Sequence, residues 1–136
     1  MVKLVEYGEA SAEARAVFED IASVRGIRPE EVNNVWKAMA VHPANMLRFW
    51  EQVKAVMGPG TLDPVTKELI YLAVSISQQC EYCVASHTVA ARRKGASEEM
   101  LAEMIAVVGL AVEGNRMASA YQVPVDAAFR WFVLIS

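Results

Sequence analysis

Apolar residues in this chain recur three and four positions apart between sharp stops, and they seldom alternate one by one. Ala14, Val17, Phe18 and Ile21 form one such stripe, and Met46, Leu47, Trp50, Val53 and Met57 another. That period gathers side chains on one face of a helix and would scatter them over both faces of a strand. The expected class is therefore all-α, with about six to seven helices in a single domain over residues 1–136.

The stops divide the chain. A first helix is expected from Ala12 to Val24, with Ser11 as N-cap and Gly26 as terminator. A second should run from Pro29 to about Val41 and bury Val32, Val35, Trp36 and Met39. Pro43 suits the first position of a third, which Gly58-Pro59-Gly60 ends. Asp63 and Pro64 open a fourth, carrying Glu68, Leu69, Leu72, Ala73 and Ile76. Ser77-Gln78-Gln79 should turn the chain into a fifth helix, from near Cys80 to Lys94, stopped by Gly95. Ser97 caps a sixth, expected to break near Gly109 or Gly114 and resume to about Gln122. The apolar tail, residues 126–136, is expected to pack on its own subunit or on a neighbour. Trp36, Phe49 and Trp50 are assigned to core packing rather than to a ligand pocket.

Hydrophobic residues make up 54% of the chain and the mean hydropathy is +0.23. Ordinary domains are nearer about 45–50% apolar, and a small domain has little interior to hide the excess. Self-association is the expected outlet. The net charge of −3 and pI near 5.4 argue against nucleic acid, whose binding starts from clustered positive charge. Arg92-Arg93-Lys94, just before Gly95, reads as cations at the carbonyl end of a helix. Met1–Gly8 lacks the basic head and apolar core of a signal peptide, and no apolar run reaches the ~20 residues of a membrane span. The expected compartment is the cytoplasm, where a permanent structural disulfide is disfavoured and two neighbouring cysteines point to redox chemistry or a metal.

The two cysteines stand in the segment Cys80-Glu81-Tyr82-Cys83-Val84-Ala85-Ser86-His87. On a helix, Cys80, Cys83 and His87 fall on one stripe. Free amides at the helix start stabilise a thiolate, and a Cys-x-x-Cys pair there can titrate well below the free-thiol value of about 8.5. His87 can accept a proton from Cys83, and Glu68 can orient His87 or relay protons, provided the chain turns at residues 77–79. Other readings stand beside this one. The cysteines could be packing residues, or Cys80, Cys83, His87 and Glu68 could ligate zinc, although no second cysteine pair exists to complete a common structural site. His42, before Pro43, reads as a helix-boundary residue, and Tyr82 as either packing or a proton relay.

The pattern Glu68, eleven residues, Cys80-x-x-Cys83, three residues, His87 resembles that of the alkylhydroperoxidase D-like proteins of the carboxymuconolactone decarboxylase superfamily. Asp63-Pro64-Val65-Thr66-Lys67-Glu68-Leu69-Ile70 and Ala85-Ser86-His87-Thr88 also look typical, so the specific likeness covers about residues 58–97. The resemblance implies an AhpD-like helical bundle with one copy of the core, often a trimer or hexamer in short members. It implies that Cys83 attacks a hydroperoxide with His87 and Glu68 activating it, and that Cys80 resolves the sulfenic acid as a disulfide. An external thiol or dithiol, in some members a lipoyl protein, then reduces the pair. Neither a cofactor nor a bound metal is expected. Tyr82 departs from the best-known peroxidase members, which carry a histidine there in their proton relay. The rival activities are thiol–disulfide exchange with little peroxidase chemistry, decarboxylase or lactone-type chemistry, and non-enzymatic metal binding.

Overall fold

The computed structural model describes residues 2–132, and within them the regular structure is helical, with no strand. Six α-helices follow in order: α1 (Ala12–Arg25), α2 (Asn34–Met39), α3 (Pro43–Met57), α4 (Pro64–Ser77), α5 (Glu81–Arg93) and α6 (Glu98–Ala120). The chain forms two compact units, one reaching to Gly60 and the other starting at Thr61.

In the first unit, α1 and α2 pack on α3. Ser11 caps α1 by accepting a hydrogen bond from the Ala14 amide, and Gly26 ends it in the left-handed conformation at φ +66°. The stripe expected on α1 is buried, with Phe18 and Ile21 fully covered. They share a core with Val32, Trp36, Met46 and Trp50. The Trp36 ring meets Trp50 edge-on at 5.5 Å and Phe49 at 5.6 Å, so these aromatics are core, as expected. Asp20 Oδ2 accepts from both Trp50 Nε1 and Lys54 Nζ at 2.6 Å, which ties α1 to α3. His42 is the N-cap of α3, its Nδ1 accepting from the Asn45 amide.

Two expectations about helix limits are corrected. The second helix is not continuous from Pro29. A 3-10 turn over Pro29–Glu31 is followed by extended backbone at Val32 and Asn33, and α2 starts only at Asn34. The break lets Val32 insert fully into the core. The expected stripe holds in part, since Val32 and Trp36 are buried and Val35 and Met39 pack against the core. On α3, Leu47 is 47% exposed rather than part of the buried face.

In the second unit, α4 packs against both α5 and α6. Asp63 caps α4 by accepting from the Thr66 amide, and Ser97 caps α6 by accepting from the Met100 amide. Leu72, Ala91, Ala96 and Leu101 form the core, flanked by Val65, Leu69, Ile76, Val84 and Met104. The second correction is α6, which runs unbroken through Gly109 and Gly114 for 23 residues. A glycine costs a helix about 1 kcal/mol relative to alanine, and the strong helix formers Ala106, Leu110, Ala111, Glu113, Arg116 and Met117 beside these two offset it. No candidate membrane-spanning helix occurs among the described residues. The tail continues as a 3-10 segment, Ala127–Phe132, in which Phe129 is 59% exposed. The end of the apolar tail expected to pack, residues 133–136, lies outside the described residues.

Candidate active site

The site is made by the turn between α4 and α5 and by the faces those helices press together. Gln79 adopts the left-handed conformation at φ +57°. Its amide donates to the Ile76 carbonyl at 3.1 Å, and the next amide, that of Cys80, donates to the Ser75 carbonyl at 3.0 Å. This pair of bonds is a Schellman closure of α4. Cys80 is also the N-cap of α5, its sulfur accepting from the Cys83 amide at 3.2 Å. One residue thus ends one helix and starts the next, which is why the first cysteine stands at the amide-rich end of α5.

Cys80 and Cys83 are joined in a disulfide across that first turn, with Cα atoms 5.3 Å apart. Both cysteines are half-buried. His87 lies one turn beyond Cys83, on the same face. Its Nδ1 is 2.7 Å from Glu68 Oε2. The His87 ring is stacked on Tyr71 of α4, with centroids 3.6 Å apart and planes inclined by 21°. A carboxylate only accepts hydrogen bonds. The Nδ1 position therefore carries the proton, and in the neutral ring Nε2 is the proton acceptor.

Glu68 is buried, with only 3% of its surface exposed. It sits on the covered face of α4 with Leu72 and Ser75, at helical spacing. Its second oxygen, Oε1, accepts from Lys94 Nζ at 2.6 Å. Burial alone would push the Glu68 carboxyl up. The hydrogen bonds from His87 and Lys94 outweigh that and hold it below the ordinary carboxylate range.

Lys94 caps the C-terminus of α5, and the chain leaves the helix through Gly95 at φ +107°. Reading Lys94 only as a cation suited to a helix end missed its ion pair. The signal was present: Cys83, His87, Ala91 and Lys94 continue one stripe at helical spacing. Arg92 pairs instead with Glu98 at 2.7 Å. Tyr71 was also missed, although it stands three residues after Glu68 on α4. Tyr82 occupies a different face of α5 from Cys83 and is 42% exposed. Among the described residues, no group of three or more His, Cys, Asp and Glu is arranged to hold a metal ion.

The family model for the carboxymuconolactone decarboxylase family matches residues 42–126, which include the whole of this constellation. The chain belongs to that family. Its fold is AhpD-like: the crystal structure of the alkylhydroperoxidase AhpD core from Rhodospirillum rubrum superposes with a TM-score of 0.89, at 49% identity, covering 95% of this chain and 96% of that one. An uncharacterized protein of Cupriavidus necator is 37% identical over 81 residues, 59% of this chain and 72% of the relative. Uncharacterized protein 4 in the cox locus of Paracoccus denitrificans is 40% identical over 67 residues, 49% of this chain and 60% of that protein.

Proposed function

We propose that this family member is an alkylhydroperoxidase-like enzyme that reduces hydroperoxides through a Cys80–Cys83 disulfide cycle. The observation that carries the reading is the disulfide at the start of α5, one turn from an imidazole held by a buried carboxylate. The likeness to the AhpD core at 49% identity supports it.

The cycle starts from the reduced pair. Cys83 gives its proton to His87 Nε2, and the thiolate attacks the terminal peroxide oxygen. The O–O bond breaks, a sulfenic acid forms on Cys83, and the leaving alkoxide takes the proton from His87 to become an alcohol. Cys80, whose sulfur faces the free amides of α5, attacks the Cys83 sulfur. The S–S bond forms and hydroxide leaves, protonated to water. An external dithiol, such as a lipoyl protein, then returns two electrons and two protons and is itself oxidised to a disulfide.

A second reading is disulfide exchange with little peroxidase activity. It is favoured by Tyr82, which stands exposed where the best-known peroxidase members carry a histidine. A phenol with a pKa near about 10 is a poor proton acceptor at neutral pH.

One experiment separates the two. Reduced protein receives one equivalent of a hydroperoxide, and free thiols and intact mass are followed. Loss of both thiols and of two hydrogen masses, absent in Cys83→Ser, is expected. Cys80→Ser should be oxidised once and recycle poorly. Thiols that survive hydroperoxide but react with a small disulfide would overturn the peroxidase reading and select exchange.

A further inference from the structure

The buried carboxylate of Glu68 has two cationic candidates and one negative charge. Lys94 Nζ lies 2.6 Å from Oε1, and His87 Nδ1 lies 2.7 Å from Oε2. Lysine is a cation throughout the neutral range, whereas histidine changes charge within it. The charge of Glu68 is therefore balanced without any proton on His87 beyond the one at Nδ1.

We propose that Lys94 is a positioning residue of this site: its ammonium neutralises Glu68, so that His87 binds the carboxylate as a neutral imidazole and keeps Nε2 open to take, and later return, the proton of Cys83. The inference rests on the peroxidase reading for the use of that proton, but the charge arrangement itself does not.

The groups around His87 make the consequence of losing Lys94 definite. From α4 come Glu68 and Tyr71, an anion and a phenol stacked on the ring. On α5, Cys83 and Cys80 are joined as an uncharged disulfide. Glu98, at the start of α6, is engaged by Arg92 through two hydrogen bonds of 2.7 and 3.1 Å. Lys94 is thus a cation hydrogen-bonded directly to the carboxylate that holds His87. Without it, the half-desolvated pair would hold one uncompensated negative charge, and His87 would retain a second proton to balance it. An imidazole holding that proton more tightly is slower to hand it to a leaving alkoxide.

The test uses the oxidised protein, where no thiol titrates. Ring nitrogens of His87 are followed by NMR over pH in the parent and in Lys94→Gln, Lys94→Met and Lys94→Arg. His42, the second of the two histidines, serves as an internal control. In the parent the neutral ring should carry its proton on Nδ1. In Lys94→Gln and Lys94→Met the pH of half-protonation should rise by about one unit, a tenfold change, because a full charge is removed from the pair. Lys94→Arg should restore the parent behaviour. A neutral Nε2–H tautomer in the parent, an unmoved His87 in folded Lys94→Gln, or an equal shift in Lys94→Arg would overturn the proposal. Lys94→Gln keeps an N–H donor for Oε1 and carries the test if Lys94→Met does not fold. Failure of the peroxidase reading would show separately, as thiols that do not react with hydroperoxide while His87 titrates as described.

Discussion

Replacing Glu68 by glutamine tests the centre of the site with almost no change of shape. The side chain is buried and meets two donors, Lys94 Nζ and His87 Nδ1. A glutamine has one accepting oxygen and a donating NH2 group, so one of those donors would face another donor. Removing one partner of a fully buried ion pair costs about 3–5 kcal/mol. The Lys94 side chain is 35% exposed and the His87 side chain 23%, so both can recover some hydration. That discount leaves about 1–3 kcal/mol for Glu68→Gln. With a urea m-value of about 2 kcal/mol/M for a chain of this size, the midpoint should fall by about 0.5–1.5 M at pH 7. The pH dependence carries the sign. The folded state holds the Glu68 carboxyl below its ordinary range. Its stabilisation is therefore present above that range and is lost as pH falls through the folded value. The gap between parent and Glu68→Gln should be widest near neutrality and narrow well below pH about 4. Equilibrium urea unfolding of both proteins in the oxidised form, at several pH values, measures this. A variant within about 0.5 kcal/mol of the parent at pH 7, or a gap that does not shrink in acid, would refute the account of Glu68.

Two further outcomes are expected. Gln79 holds φ +57° in the closure of α4, a conformation glycine adopts without penalty. Gln79→Gly should be neutral or stabilising by up to about 1 kcal/mol, whereas Gln79→Val should destabilise by about 1–2 kcal/mol and slow reoxidation of the cysteine pair. Thermal unfolding and a thiol-oxidation time course check both, and a tolerated valine would remove the strain argument. The excess of apolar surface, with Leu110 at 71% and Ile105 at 54% exposure on α6, leads us to propose a homo-oligomer, and the resemblance to short AhpD-like members implies a trimer or hexamer. Light scattering on the eluting protein should give such a mass; a monomer at micromolar concentration would count against it.

Much of the local structure was legible because it depends on neighbours in sequence. Ser11, Asp63 and Ser97 cap their helices through an amide three residues on. Gly26 and Gly95 mark true stops. Where the reading failed, a weak local signal was overridden, once by burial in the core and once by the neighbouring residues. The Pro29–Val41 stripe hid a break that seats Val32 in the core, and Gly109 and Gly114 were outvoted by the helix formers around them.

The sequence alone determined the helical class, the place of Cys80 at a helix start and the shared stripe of Cys83 and His87, since all of these follow from the backbone period and from capping chemistry. It offered Glu68 only as a candidate partner. That Glu68 closes on His87 across 19 positions and on Lys94 across 26, and that Tyr71 stacks on the imidazole, was decided by the tertiary structure. The left-handed turn at Gln79 folds α5 back against α4, and only that packing sets which side chains of two helices meet in a buried, weakly screened place where a carboxylate needs both its partners.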